Sequence, residues 1–209
     1  MKVAITTFAT GHYKVRQQAL LQTAKQYAPH IPLFAYYDFN EIGSPDHAIN
    51  PYAFKVYCME AVRNKGFDIV IWLDAPVFLL RPIDEWVEEI KKVGVYLQEG
   101  GFKVGQWAND RSLAHFNLTR DEAITLPNIH AQILAFDFSN PKAQAFFEEW
   151  KHCCAIGLFK GQWNNHNKTE SQDPRCLGHR HDQTCLELLA NKRNIPLQKP
   201  VLSKYFGAK

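Results

Sequence analysis

No stretch of this 209-residue chain approaches the roughly 18 consecutive apolar residues that a membrane-spanning helix needs. The opening Met1-Lys2-Val3-Ala4-Ile5 passes at once into polar Thr6-Thr7, too short an apolar run for a secretory leader, and is read as a first strand. Basic runs are also missing. The 24 Lys and Arg residues against 21 Asp and Glu give a net charge of only +3, and no basic run exceeds a pair. A nucleic-acid partner leaves a denser footprint. The five cysteines (Cys58, Cys153, Cys154, Cys176 and Cys185) are odd in number and lack CxxC spacing. That argues against a disulfide framework or a structural zinc site, and it fits a reducing, cytoplasmic setting. There is no Walker phosphate loop, no Gly-x-Ser-x-Gly elbow and no His-Glu-x-x-His pair, which disfavours kinases, serine hydrolases and zinc proteases.

What is present reads as one α/β domain. A hydrophobic fraction of 46% with 22% charged residues suits an ordinary globular protein, and the length suits one sizeable core. Strands are expected over residues 2–7, 31–37, 67–73, 94–97 and 129–138. Helices are expected over 12–27, 52–65, 84–92, 139–154 and 182–192, with a Gly-rich turn at 99–101. Thr119 and Glu122 have capping-box spacing, while Asp84, Ser139 and Asp182 are placed as helix caps. Residues 40–51 and 157–178 read as loops, the second longer than compact domains usually carry without a function. Strands alternating with helices imply a Rossmann-like, mostly parallel central sheet with helices on both faces. Residues 1–98 and 99–209 are read as the two halves of this one domain.

The near-continuous apolar run Phe67-Asp68-Ile69-Val70-Ile71-Trp72-Leu73 is what a central strand covered on both faces requires. Ligands of such sheets sit beyond the carboxyl ends of the strands, where Thr6, Thr7, Phe8, Asp38 and Asp74 would gather. Asp74 can bind a divalent metal or a ribose hydroxyl, or simply cap a turn. Phe8 and Tyr13 are either base-stacking aromatics or core and surface. Lys55 is either a phosphate or Asp74 contact or a solvated lysine. His130 and Gln132, two apart on a strand, share a face and suggest either a donor-sugar contact or a buried hydrogen-bonded pair. His179, Arg180, His181, Asp182 and Gln183 form the densest polar cluster. Trp107, Trp163 and His166 lie in loops where they could stack on an acceptor sugar.

The segment Lys55-Val56-Tyr57-Cys58-Met59-Glu60-Ala61, followed by Gly66 through Asp74-Ala75, resembles GT-A-type nucleotide-sugar glycosyltransferases. There a Lys- or Arg-bearing helix leads to a hydrophobic strand ending in Asp-x-Asp. Leu80-Arg81-Pro82-Ile83-Asp84-Glu85 and the helix start His181-Asp182-Gln183 are similar to later motifs in the same order. The ensemble is similar to small glycosyltransferase domains encoded by large DNA viruses of algae, whose setting would be the host cytoplasm. The resemblance implies a nucleoside-diphosphate sugar donor, UDP favoured, and a glycan or protein-linked acceptor. It implies Asp74, Asp182 and Gln183 as catalytic residues. Thr6, Thr7, Phe8, Tyr13, Asp38, Lys55, Leu73, Asp74 and Ala75 would line the nucleotide, and His130, Gln132, His179 and Arg180 the sugar or acceptor. Asp74 and His181 would hold Mn²⁺ or Mg²⁺.

One departure matters. The motif's second Asp falls on Pro76, which has no side-chain ligand, and hard cations want several oxygens. Either metal binds through Asp74, the diphosphate, water and His181, or Lys55 or Arg180 offsets the diphosphate charge without metal. Asp182 could be the base of an inverting transfer. Alternatively, Asp182 or Gln183 could stabilise the sugar cation of a retaining one. A nucleotidyltransferase or sugar-nucleotide hydrolase is a runner-up, weakened because only Gly11 follows the first strand. A catalytically impaired nucleotide-sugar-binding domain is a third reading, motivated by Pro76.

Overall fold

The computed structural model describes residues 1–208. Its spine is a five-stranded sheet in the order β2-β1-β3-β6-β5. The strands are β1 (Val3–Phe8), β2 (Leu33–Tyr36), β3 (Ile69–Leu73), β5 (Val95–Lys103) and β6 (Pro127–Asp137). β1 pairs in parallel with β2 and β3, whereas β6 lies antiparallel between β3 and β5. Four strands therefore share one direction and β6 runs against them. A separate antiparallel ribbon joins β4 (Val77–Leu79) to β7 (Phe206–Ala208).

Side-chain alternation explains the unbroken apolar run of β3. Ile69, Ile71 and Leu73 pack into one layer with α1 (Tyr13–Tyr27), α3 (Asp84–Val93) and the β4–β7 ribbon. Val70 and Trp72 pack into the other with α2 (Ala53–Arg63), α6 (Pro141–Ala155) and α7 (His181–Lys192). Both faces are dry, so neither can carry polar residues. Two short helices, α4 (Asp110–His115) and α5 (Arg120–Ala123), lie between β5 and β6. The capping box at Thr119 and Glu122 forms as expected.

The structure corrects several local expectations. The Gly-rich segment at 99–101 is no turn: β5 continues through it, shifting register against β6. A Cβ at Gly100 would stand 2.3 Å from Asn128 Oδ1. That oxygen accepts the Phe102 amide at 2.9 Å, so a side chain patches the irregular ladder where glycine makes room. Asn140, not Ser139, caps α6, because the Ser139 hydroxyl is spent on Asp137 at 2.6 Å. Asp84 and Asp182 lie inside the first turns of α3 and α7, behind Ile83 and Arg180 at the caps. The 40–51 loop begins within a short 3₁₀ turn, Phe39–Ile42. Residues 157–178 hold no helix or strand. All five cysteines are free and buried.

One further irregularity positions the site. Tyr96 of β5 pairs with Ala135 but Gln98 pairs with His130, so β6 carries extra residues between them. Ile129 and Ala131 pack with Leu134 and Phe136 in the α2–α6–α7 layer, and the strand's strict alternation breaks between Ala131 and Ile133.

Candidate active site

Lys55 lies in the first turn of α2, where a lysine is ordinarily solvated; here its side chain is only 3% exposed. Burying an ammonium is costly unless every N–H finds an acceptor. Lys55 Nζ stands 3.1 Å from Asp182 Oδ2 and 3.3 Å from Asp74 Oδ1, and it donates to the Ala131 carbonyl at 2.9 Å. The irregular stretch of β6 begins at that carbonyl. Burial alone would pull the lysine's pKa down, but Asp182 and Asp74 reverse this and hold it protonated. Burial pushes the Asp182 carboxyl up to about 6 even with Lys55 beside it, and the charge of Asp74 adds to the rise.

Two indoles brace these residues, one at a carboxylate and one at the main chain. Trp72 Nε1 donates to Asp74 Oδ1 at 2.7 Å, and Trp150 Nε1 donates to the Asp182 carbonyl at 3.1 Å. The Asp74 amide donates to the Gln132 carbonyl at 2.9 Å, which ties the strand end to β6. Asp74 keeps 24% of its side-chain surface exposed, so it is the member of the trio that an incoming ligand meets first.

Beside the trio runs a wall of stacked side chains. His181 opens α7 with φ at 52°, and Tyr52 caps α2 with φ at 60°. Left-handed backbone is unfavourable for such residues and is retained where surroundings enforce it, commonly at functional sites. The two rings stack with centroids 5.4 Å apart, and Trp163 stacks on His181 at 5.8 Å. The Arg180 guanidinium lies between Trp107 at 4.0 Å and Trp163 at 4.2 Å. His181 Nδ1 donates to the Phe159 carbonyl and His179 Nε2 to the Leu158 carbonyl, each at 2.9 Å, so the start of the long loop is pinned to the start of α7. Burial draws both imidazoles down, to about 4 for His181 and about 3 for His179, and keeps them neutral.

The wall depends on Gly178, where a Cβ would sit 2.1 Å from the Trp163 carbonyl oxygen. Gly178→Ala must displace the Trp163 backbone, at an expected overpacking cost of about 1–3 kcal/mol. A lower unfolding midpoint together with altered tryptophan fluorescence is the expected result; an unchanged spectrum would mean the loop does not need this contact.

The structure brings together Lys55, Asp74 and Asp182, with His181 and Arg180 adjoining. Gln183 is half-buried and donates from Nε2 to Glu187 Oε1 at 2.9 Å. Most of the other expected positions are buried or bonded within the fold. Thr6 and Thr7 are fully buried, bonded to the Phe34 carbonyl and to Gln17, and Phe8 stacks on Phe54 in the core. Leu73 faces the opposite layer, and Ala75 is buried. Asp38 uses its carboxylate to cap the 3₁₀ turn through the Asn40 amide. Tyr13 is 45% exposed. His179 is wholly buried, with its ring against Gly161 rather than at an open surface. His130 alternates with Ile129 and Ala131 and so points away from their layer, beside the irregularity in β6.

Asp74 and His181, the expected metal ligands, gain no third protein ligand of the His, Cys, Asp or Glu type among the described residues. The position between the two carboxylates is filled by the Lys55 ammonium, and Asp74 Oδ1 already accepts from Trp72. Cavities of about 390, 310 and 440 Å³ open elsewhere on the surface, none lined by Lys55, Asp74 or Asp182. Buried charge marks the site. Sequence reasoning missed Trp72, Trp150, Tyr52 and Glu187. Trp72 was legible, since residues two apart on a strand share a face; the others depend on tertiary packing.

No protein-family model matches the sequence, and no curated protein matches it. Solved structures do. Mouse xyloside xylosyltransferase 1 matches with a TM-score of 0.54 at 11% identity, over 96% of this chain and 85% of that one. The fold is one that glycosyltransferases use. The bifunctional glycosyltransferase WbbM matches with a TM-score of 0.55, also at 11% identity; 96% of this chain is covered but only 39% of WbbM. At this identity the likeness carries the α/β architecture, and the chemistry must come from the residues.

Proposed function

We propose that this chain is a glycosyltransferase that moves a sugar from a nucleoside-diphosphate donor, UDP favoured, to a hydroxyl of a glycan or protein-linked acceptor. The observation that carries the reading is the buried Lys55 held between Asp74 and Asp182 at the carboxyl end of β3. Proteins rarely bury a lysine and a carboxylate together, and clusters of such perturbed groups are candidates for functional sites. Ligands of such sheets bind at this edge, and the matching structures are glycosyltransferases.

In this reading Asp74, the exposed member, receives hydroxyls of the donor's ribose or sugar. Lys55 keeps both carboxylates charged and aligned. In the transfer, the bond from the anomeric carbon to the β-phosphate oxygen breaks, and its electron pair goes to that oxygen. The acceptor oxygen bonds the anomeric carbon and loses its proton to a base. Asp182, with a pKa of about 6, is tuned for a proton acceptor near neutral pH. Gln183 adjoins it with its amide held by Glu187.

The test is a panel of nucleotides and nucleotide-sugars assayed for thermal stabilisation and for sugar transfer or donor hydrolysis. A ligand at a hundred times its dissociation constant adds about 2.7 kcal/mol. Asp74→Asn should lower turnover by roughly a hundredfold or more while leaving the melting temperature nearly unchanged. Unchanged turnover removes Asp74 from the chemistry. Binding without any turnover would leave a nucleotide-sugar-binding domain.

A further inference from the structure

Resting on that reading, we infer that Arg180, rather than a divalent metal, carries the charge of the donor's diphosphate, so that the site binds nucleoside diphosphates without metal. Lys55 cannot serve as that counter-charge. Its ammonium donates to the Ala131 carbonyl and is ion-paired with Asp182 and Asp74, and the trio it belongs to carries one more negative charge than positive when both carboxylates are ionised. A diphosphate approaching Asp74 therefore meets net repulsion unless a further cation stands nearby. The residues that would hold a metal do not supply one. Pro76 occupies the place of a second carboxylate, and no group of three ligand side chains exists among the described residues.

Arg180 has the opposite situation. It is half-buried, its Nε is buried without a partner, and no hydrogen bond or ion pair among the described residues engages its guanidinium. Trp107 and Trp163 hold the guanidinium from the sides, at 4.0 and 4.2 Å from their rings. A clamped fork of N–H donors that has given none of them to the protein has lost its rotational freedom before any ligand arrives. It is the geometry suited to phosphate oxygens, which a guanidinium meets in pairs. Contact runs from it to the trio through stacked rings: Arg180 on Trp163, Trp163 on His181, His181 on Tyr52, and Tyr52 under Lys55 Nζ at 5.3 Å. Glu187 exerts a charge effect on Arg180, yet it makes no ion pair with it and is itself held protonated by burial, with a pKa of about 8. In the transfer, the oxygen that gains the electron pair of the broken bond is a β-phosphate oxygen, so a cation there stabilises the leaving group as well as the bound donor.

The experiment is calorimetric binding of the four common ribonucleoside diphosphates and the matching nucleosides, in EDTA and again with Mn²⁺. It uses the whole chain and the variants Arg180→Met and Arg180→Lys. Methionine keeps an aliphatic stem between the two indoles without the charge, and lysine keeps the charge without the fork. The expected result is diphosphate binding in EDTA that Mn²⁺ changes by less than about threefold. It should weaken about 10- to 100-fold in Arg180→Met and by an intermediate factor in Arg180→Lys, with nucleoside affinity unchanged in both. Diphosphate binding that requires Mn²⁺ would overturn this inference and leave the transferase reading standing. Equal loss of nucleoside and diphosphate binding in Arg180→Met would also overturn it, by reducing Arg180 to a brace for the loop. Failure of every nucleotide to bind under both conditions would overturn the inference and the transferase reading together.

Discussion

Lys55→Met is expected to lower the unfolding free energy by about 3–5 kcal/mol, the usual cost of removing one partner from a buried charge pair. The methionine fills nearly the same volume, so the loss is electrostatic. Without the ammonium, Asp182 remains 4% exposed with Asp74 as a like-charged neighbour, and the Ala131 carbonyl loses its donor. Asp182 then avoids the penalty by taking up a proton, and its pKa climbs further above about 6. Two readouts check this. Urea unfolding at pH 7 should show the loss, and the pH at which turnover falls on the acid side should move upward. Adding Asp182→Asn to Lys55→Met should recover part of the stability, because the orphaned charge goes with it. A change below about 1 kcal/mol in the single variant, typical of exposed pairs, would mean the trio is solvated in solution.

The second large effect concerns pH. Glu187, in the middle of α7, is 2% exposed, and its pKa is pushed up to about 8 by burial against the hydrogen bonds from Gln183 and the Ile129 amide. The folded chain thus holds this proton more tightly than the unfolded chain, whose glutamate titrates near ~4.3. The stability it contributes is complete below that lower value and drains away as pH rises through about 8, at a limit of about 1.4 kcal/mol per pH unit. Glu187→Gln keeps an acceptor for both hydrogen bonds and cannot ionise. Wild type and variant should therefore have similar melting temperatures near pH 5, with the variant clearly more stable at pH 9. Parallel melting curves across that range would place the Glu187 carboxyl in water.

The α/β class and the single domain were legible because burial on both faces of β3 writes itself into five successive apolar residues. Asp74 was legible for the same reason, since a charge directly after such a run must lie at a sheet edge. Lys55 could be read only as ambiguous, because a lysine in a first turn is buried only if partners arrive from elsewhere, and Asp182 arrives from a distant helix. The side chains of Thr6, Thr7 and Phe8 are buried because β1 is an interior strand, hydrogen-bonded on both sides. The shared face expected of His130 and Gln132 assumes strict alternation, and β6 carries extra residues against β5 at this point. Asp38 and Ser139 illustrate a different obstacle. Short polar side chains satisfy nearby backbone donors or neighbouring carboxylates, and sequence alone does not reveal whether that use or a ligand has priority.

The contact between Lys55 and Asp182 also bears on how the molecule is made. While the chain is being synthesised, β1 to β3 and α2 emerge long before α7, and the lysine then has only Asp74 to meet. It can be drawn out of water fully only once α7 docks. A nascent or truncated chain ending short of Asp182 would therefore keep this corner hydrated and open. Full burial of Lys55 thus requires α7, whose Asp182 supplies the nearer of its two carboxylates.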